Sequence, residues 1–279
     1  MFTVSTRQQG ATFYQPYQTI EFSGGELGVV LKDTPYGLHY TDYHIFAHLT
    51  NSAKILELVM LVDALRRAGA KNLTLSMPYI PYARQDRVMN MGESLSVKSF
   101  ASIINLCKFD TIEVWDAHSD VSLAVFDANV INYGPETFVE LIPIDIRKAI
   151  VVAPDAGANK KVGKVARGFG FDMVRADKVR DTKTGAITGT VVYSEPVGDR
   201  DFLIIDDICD GGRTFTELAK QLRLLTTGKV YLYVTHGIFS KGLDVFNDID
   251  HIFCPMPFPA VDLNHPKFTK IINFGDVRS

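Results

Sequence analysis

Cysteine is scarce in this chain, and its spacing fits neither of the usual roles of clustered cysteines. The 279 residues include only three, Cys107, Cys209 and Cys254, which stand far apart. A disulfide framework needs paired cysteines and a structural zinc site needs closely spaced ligands, so both are disfavoured. Isolated thiols are typical of a reducing compartment, and we expect a cytoplasmic protein.

An excess of positive charge and a long hydrophobic run are also missing. The formal net charge is −3, with both signs interspersed, so no broad basic surface for nucleic acid or an anionic membrane is predicted. The beginning of the chain, MFTVSTRQQGATFYQ, lacks a charged start followed by an apolar core, and no apolar run reaches membrane-spanning length. We therefore expect a soluble protein with neither nucleic-acid nor membrane partners.

Two common nucleotide-binding motifs are absent as well. The chain contains neither G-x-x-x-x-G-K-[ST] nor a G-x-G-x-x-G that follows a strand. The segment GANKKVGKV, which starts at Gly157, has the wrong glycine spacing for the first motif. A P-loop or a dinucleotide-binding fold is therefore disfavoured.

Hydrophobic residues, by contrast, are plentiful and occur in a regular alternation. They make up 46% of the chain, which is enough for a full core. Strand-like runs near 27–31, 43–49, 72–77, 111–115, 149–153, 202–206 and 229–235 alternate with helical stretches near 52–69, 95–107, 157–168 and 214–226. This alternation predicts an α/β protein with parallel sheets. Gly134 and Pro135 predict a boundary between an N-terminal domain, 1–133, and a C-terminal domain, 134–279.

The segment DFLIIDDICDGGRT, 201–214, is the most informative part of the sequence. The apolar run FLII predicts a buried strand, which places Asp206 and Asp207 at its carboxyl end, where open α/β sheets bind ligands. Ionised aspartates only accept hydrogen bonds, so a vicinal pair suits the two neighbouring hydroxyls of a ribose. The alternative is that these acids simply end a strand and Asp210 starts a turn.

The glycines of the same segment predict a phosphate-binding turn. Gly211 and Gly212 allow positive φ and expose backbone N–H groups, and a helix is predicted to begin at Thr214. Backbone N–H groups at a helix N-terminus bind anions without a side-chain cation. Diol acceptors beside such a turn indicate a ribose phosphate as ligand.

Three further places carry polar residues suited to nucleotide chemistry. In MPYIPYARQDR the prolines predict a loop, so Arg84, Gln85 and Asp86 are loop residues able to contact phosphate, purine or ribose; the alternative is a salt-bridged surface loop. His118 and Asp155 each follow a strand-like run, too few ligands for Mg²⁺ alone but suited to an ion that keeps waters and binds nucleotide phosphates. A strand-end histidine bonded to backbone is the alternative for His118.

A charged segment near the middle of the second domain predicts a mobile loop. The run RADKVRDTKTGAITG, 175–189, mixes charges with glycine and contains Lys178 and Arg180. A loop that closes over a site brings cations to the reacting group only when substrate is bound and excludes water. The alternative is an ordinary solvated hairpin.

Taken together, these strings resemble the ribose-phosphate diphosphokinase family, over most of residues 22–236. YARQDR is among the most specific strings of that family, and 206–214 resembles its pattern D-D-x-x-D-T-x-G-T, which type I phosphoribosyltransferases share. Two positions depart from it: Gly211 replaces the first Thr, and Arg213 replaces the loop Gly. The segment FSGGE, 22–26, is similar to the family's adenine-binding F-S-[DN]-x-E, with Gly24 replacing the acid or amide.

The resemblance implies a fold of two type I phosphoribosyltransferase-like halves and a role for each matched residue. It implies that Phe22, Glu26, Arg84, Gln85, Asp86 and His118 bind ATP, that His118 and Asp155 hold Mg²⁺, and that Lys178 and Arg180 are catalytic. It implies that Asp206, Asp207, Asp210, Gly211, Gly212, Arg213 and Thr214 bind the sugar phosphate. Because the family's FSGGE-like segment reaches a neighbouring subunit, a homodimer or higher homo-oligomer is expected.

The reaction that this resemblance implies is Mg²⁺-dependent transfer of the diphosphoryl group of ATP to the anomeric hydroxyl of ribose 5-phosphate, giving phosphoribosyl diphosphate and AMP for nucleotide biosynthesis. Because Gly211 and Arg213 alter the phosphate pocket, the acceptor could instead be a 5-phosphate-substituted ribose such as ADP-ribose, giving a pyrophosphate for NAD synthesis. Two other classes stay open: a non-catalytic regulatory homologue, and a phosphoribosyltransferase that consumes the activated sugar.

Overall fold

The protein folds into two compact units, Met1–Tyr133 and Gly134–Ser279. The computed structural model describes residues 2–8, 11–34, 38–180, 187–258 and 264–272. None of the helices within these ranges combines the length and the apolar character needed to cross a membrane.

The first unit is built on a six-stranded sheet. The strands of the whole unit, including two outside this sheet, are β1 (Thr3–Gln8), β2 (Ala11–Tyr14), β3 (Tyr17–Glu21), β4 (Leu27–Leu31), β5 (Asp42–Phe46), β6 (Asn72–Ser76), β7 (Thr111–Trp115) and β8 (Asn129–Tyr133). The helices of the unit are α1 (Ser52–Arg67), α2 (Ser96–Leu106) and α3 (Asp120–Ala124). The sheet order is β2-β1-β5-β6-β7-β8. Strands β5 to β8 are parallel, as predicted, while β1 and β2 form an antiparallel hairpin at one edge.

One face of this sheet is covered by apolar side chains from α1 and α2. Leu58, Leu61 and Leu65 of α1 are fully buried in the same cluster as Leu73 and Leu75 of β6. Helix α1 begins where the Asn51 side chain accepts a hydrogen bond from the backbone N–H of Lys54, at 3.1 Å, which satisfies one of the unpaired donors of the first turn. The alternation of apolar residues in β6 and the helical spacing in α1 therefore meet in one core.

Strand β4 does not belong to the parallel sheet, contrary to what the alternation predicted. It pairs with β3 in a separate antiparallel hairpin, with Tyr17 opposite Leu31 and Glu21 opposite Leu27. The hydroxyl of Tyr17 donates to Oε1 of Glu57 in α1 at 2.7 Å, which fixes the base of the hairpin on the helix. A five-residue apolar run carries no information about whether its partner is parallel or antiparallel, and the turn between the strands decides this.

The second unit is built on an eight-stranded sheet. Its strands are β9 (Ile150–Ala153), β10 (Met173–Arg180), β11 (Ile187–Val192), β12 (Phe202–Cys209), β13 (Val230–Gly237), β14 (His251–Cys254), β15 (Met256–Pro257) and β16 (Phe268–Lys270), and its helices are α4 (Glu136–Val139), α5 (Asn159–Phe169) and α6 (Arg213–Arg223). The order is β11-β10-β9-β12-β13-β14-β16, with β15 beside β13. All pairs are parallel except β10 and β11.

Helix α6 and the central strands share the core of this unit. Phe215, Leu218 and Leu222 lie at helical spacing on one face of α6 and are buried in a cluster with Ile204 of β12 and Leu232 of β13. Strands β12 and β13 are almost entirely apolar before the polar residues near their carboxyl ends, which is the pattern of strands covered on both faces. The mixed α/β fold rich in parallel strands is thus confirmed.

Candidate active site

The segment between β6 and α2 has neither helix nor strand, as its prolines predicted. The chain turns at Tyr82, which has a φ of 65°, and the backbone N–H of Gln85 donates to the carbonyl of Tyr82 at 2.9 Å. The side chains of Arg84 and Gln85 are exposed. This arginine loop therefore presents polar side chains outward, while its backbone is held by local hydrogen bonds.

Asp86 is the one acid of the arginine loop that points inward, with 9% of its surface exposed. Burial alone would raise the pKa of its carboxyl, but a hydrogen bond from the Ser119 hydroxyl and a hydrogen bond and ion pair with Arg87, at 3.2 Å, lower that pKa below its ordinary value. The positive field of His118 acts in the same direction. Asp86 is therefore a satisfied buried anion that ties the arginine loop to the chain after β7.

His118 lies on the turn that follows β7 and is exposed. The turn is held by two hydrogen bonds: the N–H of Asp116 donates to the carbonyl of Tyr133 at 2.7 Å, and the N–H of Ala117 donates to Oδ1 of Asn132 at 3.1 Å. The two motifs predicted to bind ATP, the arginine loop and His118, thus meet within the first unit.

Phe22 and Glu26 bracket the turn between β3 and β4. The N–H of Phe22 donates to the carbonyl of Glu26 at 2.9 Å, and Gly25 adopts a φ of 84°. Phe22 is 54% exposed, although one ring edge lies over Gly28. The turn therefore presents an aromatic ring and a carboxylate on the surface of the first unit.

Strand β12 runs further than predicted, so Asp206 and Asp207 lie inside the strand rather than at its end. Pairing with β13 continues to Cys209, whereas pairing with β9 stops at Ile204. The two acids therefore lie beyond the last residue of β12 that pairs with β9. A single-sequence pattern places the end of an apolar run, not the end of its hydrogen bonding.

The two aspartates have different surroundings. Asp207 is buried and forms an ion pair with Nζ of Lys161 in α5 at 3.3 Å. The pKa of Asp206, by contrast, is raised well above its ordinary value by burial and by the carboxylates of Asp207 and Asp155. We use the term acidic pocket for four residues, Asp155, Asp206, Asp207 and Lys161.

Asp155 enters the acidic pocket from the loop that precedes α5. Its Oδ1 accepts hydrogen bonds from the N–H groups of Gly157 and Ala158, at 3.0 and 3.2 Å. This bonding fixes the carboxylate at the helix N-terminus, where the helix dipole favours negative charge. Asp155 is thus held rigidly near Asp206.

The glycine turn after β12 has the predicted shape at one of its two glycines. Gly212 has a φ of 75°, but Gly211 is not in the left-handed region. A Cβ on Gly212 would lie 2.5 Å from the Phe246 ring, so glycine is required there for space as well as for conformation. Helix α6 begins at Arg213, one residue before the predicted start, and leaves the first-turn N–H groups facing outward from the helix end.

The loop after β13 is bonded to the glycine turn. The N–H of Ile238 donates to the carbonyl of Cys209 at 2.7 Å, and the N–H of Ser240 donates to that of Asp210 at 3.2 Å. The Ser240 hydroxyl also donates to Oδ1 of Asp210, at 2.6 Å. Ser240 therefore fixes both the backbone and the side chain of Asp210, at the start of the glycine turn.

Comparison with known protein sequences identifies the family of the chain. Residues 8–107 match the family model of the N-terminal domain of ribose phosphate pyrophosphokinase. A "Ribose-phosphate pyrophosphokinase" of Thermococcus kodakarensis is 34% identical over 194 residues, 68% of this chain and 67% of that protein. One of Haemophilus influenzae is 32% identical over 224 residues, 78% and 70% of the two chains. The chain belongs to the ribose-phosphate pyrophosphokinase family.

A solved structure extends the likeness to the fold of both units. The phosphoribosylpyrophosphate synthetase of Mycobacterium smegmatis superposes with a TM-score of 0.75 at 22% identity, over 92% of this chain and 85% of the other. Membership of the ribose-phosphate pyrophosphokinase family makes the chain an enzyme of the diphosphotransferase class, as predicted. The expectation of a non-catalytic homologue has no support.

Lys178 and Arg180 lie in a different setting from the one predicted. Both belong to β10, where Lys178 is opposite Thr190 and Arg180 is opposite Ile187 across an irregular register. The predicted loop over 175–189 is therefore shorter, because β10 continues to 180 and β11 begins at 187. Residues 181–186 of the predicted loop lie outside the described residues. The catalytic role of this ribose-phosphate pyrophosphokinase pair stays a prediction.

The magnesium ligands predicted for this ribose-phosphate pyrophosphokinase lie in separate units, His118 in the first and Asp155 in the second. Within the described ranges, no three His, Cys, Asp or Glu side chains gather as a metal-binding group. Mg²⁺ ordinarily keeps several waters and takes one or two carboxylates together with phosphates of the substrate. A sparse set of protein ligands therefore fits an ion that arrives with a nucleotide.

Two residues near the site were missed in the sequence. Lys161 stands in GANKKVGKV, whose glycine spacing excludes a P-loop and suggests no other role, and Ser240 stands after β13, in a segment without a motif. A lysine at helical spacing after the Asp155 turn was the available signal for the first. Nothing in the sequence pairs Ser240 with Asp210, because that hydrogen bond joins residues thirty positions apart.

Proposed function

We propose that the protein transfers the diphosphoryl group of ATP to the anomeric hydroxyl of ribose 5-phosphate, with Mg²⁺, to give phosphoribosyl diphosphate and AMP. The observation that carries the proposal is the acidic pocket beside the glycine turn, in a chain whose relatives are ribose-phosphate pyrophosphokinases. The pocket offers acceptors for sugar hydroxyls, and the turn offers N–H donors for a phosphate. Both ends of one sugar phosphate thus find complementary groups in the second unit.

The sugar hydroxyls would be bound by Asp206 and Asp207. The pKa of Asp206 is raised because burial disfavours its charge and the carboxylates of Asp207 and Asp155 repel it. The hydroxyls of a ribose diol would donate hydrogen bonds to Asp206 and Asp207 and so favour the charged form of Asp206. Lys161 pairs with Asp207 and holds its carboxylate in place. This arrangement orients the sugar without a covalent step.

The 5-phosphate would be bound at Asp210–Thr214. The N–H groups at the start of α6 and the helix dipole favour an anion there, and Gly212 allows the backbone to approach it closely. The hydrogen bond from the Ser240 hydroxyl fixes the carboxylate of Asp210. Binding the phosphate at one end and the diol at the other fixes the direction in which the anomeric hydroxyl points.

ATP would be bound by the arginine loop, His118 and the Phe22–Glu26 turn of the first unit. Arg84 is exposed and suited to phosphate, and Phe22 offers a ring face for stacking on adenine. When bound, Mg²⁺ would neutralise the polyphosphate and make the β-phosphorus more electrophilic. His118 and Asp155 are the residues that would hold it. As the diphosphoryl group moves, Lys178 and Arg180 would stabilise the charge that develops on its oxygens.

The direct test is to incubate the protein with MgATP and ribose 5-phosphate and to measure AMP and the mass of the sugar product. The expected result is one AMP for each phosphoribosyl diphosphate, with no product when Mg²⁺ is chelated by EDTA. Release of ADP instead of AMP, or equal AMP release without the sugar, would contradict the proposal.

An acceptor with a substituted 5-phosphate, such as ADP-ribose, is a second candidate, and one observation favours it. Gly211 has no side chain to close the glycine turn, and Arg213 is exposed on the first turn of α6 beside it. An open turn with a guanidinium at its edge can accommodate a second phosphate. The same assay with ADP-ribose separates the two acceptors, and inactivity with ADP-ribose at high protein concentration would end this candidate.

A further inference from the structure

The loop after β13 carries a cation that none of the roles above uses. Lys241 is exposed at its surface, but its aliphatic stem runs along the glycine turn. A Cβ placed on Gly211 would lie 3.5 Å from Cε and 3.6 Å from Cδ of Lys241. The stem therefore occupies the space beside the position where a side chain at 211 would project.

The position of Lys241 is set by its neighbours rather than by an ion pair of its own. Ser240, the preceding residue, is bonded to Asp210 through both its N–H and its hydroxyl. Phe239 adopts a φ of 47° and is buried in the core. Across the part of the chain that the structure describes, the Lys241 ammonium forms neither a hydrogen bond nor an ion pair. Among the described residues, this loop thus places a lysine without an ionic partner beside the glycine turn.

The glycine turn itself lacks side-chain donors at its two central positions. Gly211 and Gly212 contribute only backbone N–H groups, whereas a phosphate monoester carries a charge of about −1.5 to −2 at neutral pH. Hydrogen bonds to a charged partner are stronger when the donor is also charged. A cation beside Gly211 would therefore supply what a side chain at that position does not.

We propose that Lys241 is an acceptor-binding residue whose ammonium contacts the phosphate on the 5-oxygen of the ribose, from beside Gly211. The inference rests on the proposed function, since it assumes that Asp210–Thr214 binds the acceptor phosphate. The loop after β13 then belongs to the acceptor site, and the positive charge that contacts the phosphate comes from Lys241, outside the glycine turn.

Direct binding tests this assignment without relying on turnover. Isothermal titration of ribose 5-phosphate into the full chain, without ATP, is expected to give a Kd about 10- to 100-fold weaker for Lys241→Gln than for the unsubstituted protein, with Lys241→Arg restoring most of the loss. Lys220→Gln is the matched control, because Lys220 is an exposed lysine of α6 that pairs with Glu217. Ribose without phosphate is expected to bind the Gln variant and the unsubstituted protein equally. Equal Kd values for ribose 5-phosphate would overturn the proposal.

A second substitution asks whether positions 211 and 241 serve the same phosphate. Gly211 is outside the left-handed region, and its surroundings leave ordinary contact distance for a Cβ, so Gly211→Thr is compatible with the turn. In the Lys241→Gln background, the added hydroxyl is expected to recover several-fold of the lost affinity. Absence of any recovery would contradict a shared phosphate.

The outcomes for the two proposals are distinguishable. If ribose 5-phosphate binds in a Lys241-dependent way but no AMP is formed from MgATP, the reaction is wrong and the assignment of Lys241 stands. If AMP is formed and Lys241→Gln changes neither Kd nor the KM of the acceptor, the reaction stands and the assignment is wrong. If neither ribose 5-phosphate nor ADP-ribose binds the unsubstituted protein, both are wrong.

Discussion

Asp86 of the first unit and Asp206 of the second are both carboxyls that burial penalises, yet their pKa values move in opposite directions. The pKa of Asp86 is lowered because the Ser119 hydroxyl and Arg87 outweigh burial. The pKa of Asp206 is raised because burial is joined by two further carboxylates, Asp207 and Asp155. The first acid has all the partners that a charge needs, while the second is surrounded by groups that repel its charge.

The comparison distinguishes Asp86, which stabilises the fold, from Asp206, which we infer binds a ligand. A fully bonded buried anion stabilises the fold and has little left to offer a substrate. A carboxyl placed close to other carboxylates lowers the stability of the fold, and groups of neighbouring carboxyls are typical of functional sites. We infer that Asp86 positions the arginine loop, and that Asp206 binds the acceptor directly.

The largest expected effect is on acceptor use after Asp206→Asn. We expect kcat/KM for the acceptor to fall about 100-fold, because the amide cannot accept as the carboxylate does. The melting temperature is expected to stay the same or to rise, since a repelled, desolvated carboxyl is removed. Steady-state kinetics and thermal unfolding measure both, with the exposed Asp199→Asn as control. A fall in melting temperature that matches the loss of activity would make Asp206 structural.

Asp86→Asn is expected to show the opposite pattern. Loss of the buried charge removes the partner of Ser119 and Arg87, so the free energy of unfolding should fall by about 2 kcal/mol. Urea unfolding measures the change. Asp127→Asn is the control, because Asp127 is an exposed aspartate of the same unit. Unchanged stability with a large rise in the KM of ATP would show instead that Asp86 contacts the nucleotide.

Arg84→Ala tests the outward face of the same loop. The side chain is exposed, so unfolding should be unaffected, while the KM of ATP is expected to rise about tenfold through loss of a phosphate contact. Arg67→Ala provides a control, since Arg67 is an exposed arginine of α1 paired with Asp63. If the KM of ATP rises equally in both variants, the effect is one of overall charge and the assignment of Arg84 fails.

The smallest expected effect is the pH dependence of stability, and its sign differs between the two acids. Both have an ordinary pKa of 3.8. The stabilisation by Asp86, whose folded pKa is lower, is complete above that value and is lost as pH falls through the folded pKa. The contribution of Asp206, whose folded pKa is higher, is complete below 3.8 and is lost as pH rises through the folded pKa.

Chemical unfolding from pH 3 to pH 8 checks both signs. The deficit of Asp86→Asn relative to the unsubstituted protein should shrink toward low pH. Asp206→Asn should gain relative stability toward high pH. A deficit of Asp86→Asn that is largest at low pH would reverse the assignment of a satisfied anion to Asp86.

Much of the parallel architecture could be predicted from the sequence. The alternation in NLTLS and the short apolar run FLII before polar residues both predict strands, and the helices between the strands show a buried face. The antiparallel pairing of β1 to β4 was not predicted, and the pairing of β10 with β11 was expected only as the hairpin alternative to a mobile loop. Their pairing depends on turns and on residues such as Tyr17, whose hydroxyl bonds to Glu57 forty positions away.

The candidate site could be predicted where its residues follow one another along the chain. Asp206–Thr214 is one continuous segment, and the structure gives it a turn and a helix start close to those expected. The surroundings of the segment could not be predicted, because Lys161 and Ser240 come from other elements. The opposite pKa shifts of Asp86 and Asp206 depend on burial and, beyond the neighbouring residues, on Ser119 and Asp155 from other segments of the chain, so the sequence pattern did not predict them.

The most direct test of the distinction between the two acids is an NMR titration of the aspartate carboxyl carbons, with and without ribose 5-phosphate. The predicted result is an Asp206 pKa above the ordinary value that falls when the sugar phosphate binds, because hydroxyl donors favour the charged form. The Asp86 pKa should lie below the ordinary value and stay there. An Asp206 pKa that ribose 5-phosphate leaves unchanged, together with a shift at Asp86, would contradict the account.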